Sequence, residues 1–104
     1  MAKRGTKTES KKYNEGQVIG NAFQYDIRLY PESKRESGKL TTYFMYLTIN
    51  TAITINCYFC VTENNMWLKM PQYKVKDEYK NYIFLDEKLN KDLDKVCEEC
   101  ENLI

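Results

Sequence analysis

The four cysteines are the residues whose spacing could most directly support chemistry. They form two CxxC pairs, Cys57 with Cys60 and Cys97 with Cys100, and four thiolates can close a tetrahedral zinc site. However, Cys57 and Cys60 fall in a pattern typical of a strand, where positions three apart point to opposite faces. Neither pair is flanked by the Gly or Pro that usually forms a knuckle turn. Buried structural thiols are the favoured interpretation, with a zinc site or a redox or disulfide role as alternatives.

A second candidate site consists of aromatic side chains beside lysines. If Cys57 and Phe59 point into a core, alternation along the strand turns Tyr58 outward, and the same rule places Trp67 and Lys69 outward on the next strand. Single-stranded nucleic acid needs such a surface, because bases stack on rings and cations hold phosphates. The same rings could instead be buried in a dimer interface, and the two interpretations remain open.

Enzyme chemistry is poorly supported by the remaining residues. The chain contains no histidine, the usual general base and metal ligand. The carboxylate pairs Asp77-Glu78 and Glu98-Glu99 fall in a polar segment and on an exposed helical face, without an apolar pocket beside them. The sequence has neither a phosphate-binding glycine loop nor a nucleophile elbow. We therefore expect a protein that is not an enzyme and that needs no cofactor.

The elements that must position these residues begin with strands. Residues 18–29 alternate between apolar and polar, and Pro31 is expected to end that strand before a charged, turn-rich connection over 31–38. Two runs rich in Thr, Tyr, Phe and Ile, 40–49 and 52–61, predict a hairpin. A short strand over 66–70 follows. We expect a polar loop over 72–80 and a short extended piece over 81–85.

One amphipathic helix closes the chain. Asp86 is a plausible N-cap, and an apolar stripe follows it at helical spacing, made of Leu89, Leu93, Val96, Cys100 and Leu103. Such a stripe typically covers a sheet. The predicted fold is therefore α+β, an antiparallel sheet of four to five strands in meander order, packed by one C-terminal amphipathic helix.

Composition indicates one domain with a basic beginning. Residues 1–17 carry five Lys or Arg and two Glu, with almost no apolar side chain before Tyr13. We predict a disordered basic arm over 1–16 and a single α+β domain over 17–104. The chain lacks a long apolar run and its start does not read as a signal peptide, so a cytoplasmic protein without membrane contact is expected.

The order of elements and several of their residues resemble the SpoVG family of small bacterial regulatory proteins. The similarity rests on YLTINTAITI (46–55), ENN (63–65), WLKMP (67–71) and LDEK (85–88), and it covers about two-thirds of the chain. Family members have a similar strand ending in Met-Pro, a basic loop and a closing helix. The family's basic segment is matched in part by Lys74, Lys76 and Lys80, whereas residues 1–20 have no counterpart.

The resemblance implies a homodimer that binds DNA or RNA, and a divergent phage or mobile-element relative would also fit. The leading hypothesis is a protein that binds single-stranded DNA or RNA with low sequence specificity. Its candidate contact residues are Arg28, Tyr58, Trp67, Lys69, Lys74, Lys76 and Lys80. The alternatives are a protein-interaction module, such as a phage or mobile-element inhibitor of a host protein, and a small domain stabilised by zinc.

Overall fold

A computed structural model describes residues 12–104, and the predicted fold class is confirmed. Five antiparallel strands form one sheet in meander order, two further strands form a separate hairpin, and one helix packs on the sheet. The elements are β1 (Asn14–Ile19), β2 (Gln24–Ser37), β3 (Leu40–Ile49), β4 (Ile53–Val61), β5 (Met66–Lys69), β6 (Gln72–Val75), β7 (Glu78–Asn81) and α1 (Glu87–Leu103). None of the described helices is long and apolar enough to cross a membrane.

Alternation along β2, β3 and β4 produces one face buried under α1 and one uncovered face, although Cys60, on the outer face opposite Trp67, is also buried. The side chains of the buried face meet α1, and those with at most 2% exposure include Ile27, Leu29, Met45, Leu47, Cys57 and Phe59. Strands alternate in this way because successive Cβ atoms project to opposite sides of the pleat. The residues between them therefore project away from the helix.

The β3–β4 hairpin follows the prediction, and its turn sets the register of the sheet. Asn50 and Thr51 have φ angles of 53° and 52°, and the Ala52 N–H donates to the Ile49 carbonyl at 3.0 Å. Three residues, 50–52, separate the paired Ile49 and Ile53, and the two left-handed residues among them suit the right-handed twist of a hairpin. The Asn50 side chain also accepts a hydrogen bond from the Gln24 N–H at 2.8 Å, which ties this turn to β2.

Pro31 does not end its strand, contrary to the prediction. β2 continues to Ser37, with an irregularity between the pairs Tyr30↔Phe44 and Arg35↔Thr42. Proline is tolerated there because a bulge removes the need for its missing N–H. Ser33 compensates for the interrupted pairing, since its hydroxyl donates to the Tyr30 carbonyl at 2.6 Å and accepts from the Phe44 N–H at 2.7 Å.

Three further boundaries differ from the sequence prediction. The strand predicted over 18–29 is divided by a turn, because β1 ends at Ile19, the Gly20 N–H donates to the Phe23 carbonyl at 2.8 Å, and β2 begins at Gln24. Residues 14–16 belong to β1, although the sequence predicts a disordered arm over 1–16. Residues 1–11 of that arm lie outside the described part of the chain. The predicted polar loop over 72–80 is wrong, because β6 and β7 form a hairpin whose turn contains Lys76 at a φ of 58°. Every residue of these two strands is exposed, which explains why no periodic burial signal marked them.

The helix confirms its predicted cap and stripe. The Asp86 side chain accepts a hydrogen bond from the Lys88 N–H at 3.2 Å, satisfying one of the free donors at the start of α1. Val96 and Cys100 are fully buried, and the leucines of the stripe pack around them. Burial of this stripe against β1, β2 and β5 covers one face of the sheet.

Asp92 is buried inside this contact, and the sequence analysis did not identify it. Its carboxylate accepts hydrogen bonds from three successive backbone N–H groups in the β1–β2 turn, those of Asn21 at 2.8 Å, Ala22 at 3.2 Å and Phe23 at 3.3 Å. It also accepts from the Tyr25 hydroxyl at 2.8 Å. Burial acts to raise the pKa of Asp92, but these hydrogen bonds outweigh it and hold the pKa below its usual value.

We expect Asp92→Asn to lower the melting temperature by several degrees near neutral pH, because the three backbone donors lose a charged acceptor. The pKa of Asp92 is lower in the folded protein than in the unfolded chain. Its carboxylate therefore stabilises the fold fully above the unfolded-state pKa, and this stabilisation is lost as the pH falls through the folded-state pKa. The deficit of the variant should therefore shrink below about pH 4. Thermal melts across a pH series measure both effects.

Asp94→Asn is the matched control, since Asp94 lies on the same helix, carries the same charge and is exposed. It should leave the melting temperature nearly unchanged. Equal melting curves for the two variants at neutral pH would show that Asp92 does not hold the helix in place.

Candidate nucleic-acid interface

The sheet face opposite α1 carries the aromatic residues that alternation placed there. Tyr58 is 44% exposed and Trp67 is 38% exposed, while Cys57 and Phe59, on either side of Tyr58, are buried under the helix. Lys69 lies on the same outer face, directly opposite Tyr58 in the β4–β5 pairing. The structure thus brings Tyr58, Trp67 and Lys69 together as predicted.

This outer face bears a larger set of rings than the sequence analysis identified. Tyr30, Phe44 and Tyr58 are directly opposed on β2, β3 and β4, with ring centroids 5.5 Å and 6.0 Å apart along the row. Tyr46 adds a ring 5.2 Å from Phe44. These contacts are tilted or edge-to-face, the arrangement that aromatic quadrupoles favour. We call Tyr30, Phe44, Tyr46 and Tyr58 the aromatic row.

The sequence contained a signal for the missing rings. Alternation along 40–49 makes Phe44 and Tyr46 outward-facing as soon as Met45 and Leu47 are assigned to the core. Tyr30 follows by the same rule from Leu29. Which rings lie side by side depends on the register between β2, β3 and β4, and the β3–β4 turn and the bulge in β2 determine that register.

Arg28 lies at the β1 side of the aromatic row. Its guanidinium carbon is 4.7 Å from the centroid of the Tyr13 ring, and it stands opposite Tyr46 on β3. The surrounding groove of about 480 Å³ is also lined by Glu15 and Asp26. Two carboxylates beside one guanidinium make this end of the row electrostatically mixed rather than basic.

The opposite flank of the row is more basic and borders a larger groove. A groove of about 740 Å³ is lined there by Glu32, Ser33, Lys34, Arg35, Thr42, Phe44, Tyr58 and Lys69. The sequence analysis missed Lys34 and Arg35, because it assigned them to a connecting loop rather than to a strand. Their placement beside Tyr58 depends on the continuation of β2 beyond Pro31.

The three predicted lysines of the basic segment lie on the β6–β7 hairpin and not on the five-stranded sheet. Lys74 and Lys80 are on its strands, and Lys76 is in its turn. The Lys74 ammonium nitrogen is 5.7 Å from the centroid of the Tyr79 ring. The base of the hairpin reaches the outer face, because a groove of about 370 Å³ there is lined by Trp67 and Lys69 together with Gln72, Asn81 and Phe84.

The four cysteines lie at buried positions on β4 and α1. All four thiols are free and buried, and residues 12–104 contain no group of three or more potential ligands arranged to hold a metal ion. Burial raises the pKa of Cys57 to about 12 and, together with the Asp94 carboxylate, that of Cys97 to about 11. Burial also raises the pKa of Cys60, although Lys69 lowers it in part. The thiols are therefore protonated and shielded at neutral pH.

The burial of the cysteines predicts slow thiol chemistry in the folded state. We expect Ellman's reagent to react with the thiols only on the timescale of unfolding, and with all four at once in concentrated guanidinium. At about pH 9 most of Cys57 and Cys97 should still be protonated in the folded state, since their pKa values lie higher still, so the native protein should still react far more slowly than the unfolded chain. Rapid titration of two or more thiols in the native protein would contradict this packing.

Comparison of the chain with protein-family models, with characterised proteins and with solved structures finds no match.

Proposed function

We propose that this protein binds single-stranded DNA or RNA with low sequence specificity on the sheet face opposite α1. The observation that carries the proposal is the aromatic row, four rings linked by edge-to-face contacts on the face away from α1, with Tyr58 exposed and the other three half-buried. Lys69 borders the row at one end, and Arg28 borders it at the other.

The geometry favours single strands over duplexes. Base faces are free to stack on protein rings only where the strand is unpaired, and a sheet face offers no helix to enter a major groove. Stacking also tolerates any base, because every base has a π-face. The rings are already held against one another, so less side-chain freedom is lost on binding. A row of this kind therefore supplies affinity without reading sequence.

The hairpin extends the proposed interface. Its base adjoins Trp67, and Lys74, Lys76 and Lys80 are exposed along it, so they can attract phosphates beyond the row. A basic segment after Met70-Pro71 is also what the resemblance to the SpoVG family implies.

We also propose that the protein is a homodimer, as that resemblance implies, and that the second copy packs on the apolar side chains near the hairpin base. Phe84 is 85% exposed and Tyr82 is 66% exposed, and Tyr82 contacts Tyr73 at a centroid distance of 4.8 Å. Exposed apolar clusters of this kind mark interaction surfaces. Association there would leave the aromatic row accessible, while Trp67 and Lys69, which line the same groove as Phe84, would lie beside the dimer interface.

Tyr58→Ala should weaken binding of a labelled single-stranded oligonucleotide roughly 5- to 150-fold, which corresponds to a stacking energy of ~1–3 kcal/mol. Tyr58→Phe, the matched control, keeps the ring and should bind like the unmodified protein. Fluorescence anisotropy gives the affinities. Quenching of Trp67, the single tryptophan, reports contact at the same face.

Salt dependence provides an independent check. Lys69→Gln should reduce the slope of log Kd against log salt by about 0.7, the contribution of one phosphate contact to a single strand. If the protein gives no Trp67 quenching and no mobility shift at low salt, the proposal fails. Capture of a protein partner in the absence of nucleic acid would then favour the interaction-module alternative.

The dimer has its own test. Light scattering should give a mass twice the 12.4 kDa of the chain for the unmodified protein, and a single-chain mass for Phe84→Ser. Because Phe84 is almost fully exposed, this substitution should leave the melting temperature of the domain itself nearly unchanged. A dimer that persists in Phe84→Ser would place the interface elsewhere.

A further inference from the structure

The bulge in β2 changes the shape of the outer face. Four residues, 31–34, stand between the pairs Tyr30↔Phe44 and Arg35↔Thr42, whereas β3 contributes only Tyr43 over the same interval. Bulges of this kind redirect the bulged strand and recur beside functional sites. The Ser33 hydroxyl, bonded to both strands, holds the extra residues in one arrangement.

The result is a groove at one end of the aromatic row. The bulged segment forms one wall through Lys34 and Arg35, while Tyr58 and Lys69 line the opposite side. Its volume of about 740 Å³ lies within the range of small-ligand sites. A flat sheet would present the same rings without this enclosure.

The charges in the groove favour an anion. Three of its lining residues are cationic, Lys34, Arg35 and Lys69, and one is acidic, Glu32. Lys34 also meets Glu36 at 3.6 Å, but both side chains are more than half exposed, so this pair is weak. Arg35 offers the planar, bidentate donor pattern that suits a phosphate.

We propose that this groove binds a single nucleotide, with its base against Tyr58 and Phe44 and its phosphate between Arg35 and Lys69. The inference rests on the proposed function, because the same rings serve the longer strand. It goes further in assigning one anchoring position, for which a nucleoside monophosphate is a sufficient ligand. Glu32 supplies an acceptor for a base amino group or a ribose hydroxyl. A bound strand therefore has one nucleotide held at a fixed position beside the aromatic row.

The experiment is competition against a labelled oligonucleotide by adenosine monophosphate, adenosine and inorganic phosphate, each alone. The monophosphate should displace the oligonucleotide at least tenfold more effectively than either of the other two, because only it engages both the rings and the cations. Arg35→Gln should weaken the monophosphate about tenfold, as expected for loss of a charged hydrogen bond. Lys39→Gln, an exposed charge in the adjoining β2–β3 turn, should have no effect.

The outcomes separate this inference from the proposed function. If oligonucleotides bind through Tyr58 but the monophosphate does not compete and Arg35→Gln is silent, the groove assignment is wrong and the platform stands. Competition by inorganic phosphate equal to that by the monophosphate would reduce the groove to a simple anion site and overturn the assignment. If the monophosphate binds directly, by Trp67 fluorescence or calorimetry, while no oligonucleotide does, the groove stands and the platform fails. Absence of both kinds of binding removes both proposals.

Discussion

The hydrogen bonds to the Asp92 carboxylate are the constraint on which the rest of the structure depends. They join the middle of α1 to the β1–β2 turn and to Tyr25, and so hold the helix against one face of the sheet. Gly20 shows how close this approach is, because a Cβ atom there would collide with the Asp92 carboxylate. With the helix held in this place, the inner face is covered and the aromatic row is left open.

Alternation then lets each central strand serve two purposes at once. In β4, Cys57 and Phe59 fill the core while Tyr58, between them, joins the aromatic row. Core packing and the candidate interface are thus separated by direction rather than by position along the chain. Substitutions on the inner side act through cavities and stability, whereas those on the outer side leave the core unchanged. Substitutions on the outer side can therefore change binding without changing the stability of the core.

The bulge in β2 adds local shape to an otherwise regular sheet. Without the Ser33 hydroxyl, the Phe44 N–H and the Tyr30 carbonyl would lose a hydrogen-bond partner between the two strands. With it, Pro31 fits into a strand and the basic residues that follow stand beside the row. Cys57, Cys97 and Cys100 belong to the packing of the opposite face, whereas Cys60 is buried on the outer face, directly opposite Trp67.

Short-range patterns in the sequence were sufficient for the β3–β4 hairpin, the Asp86 cap, the helical stripe and the outward direction of Tyr58 and Trp67. Each of these depends on neighbours within a few residues, which is the range over which turn geometry and periodicity act. The part played by Asp92 required the fold, because its partners lie 67 to 71 residues away along the chain. The groove also required the fold. A proline followed by charged residues predicts a loop, but the Ser33 hydroxyl accepts a hydrogen bond from the Phe44 N–H on the neighbouring strand and so keeps this segment joined to β3. Only tertiary contacts bring such distant donors and acceptors together.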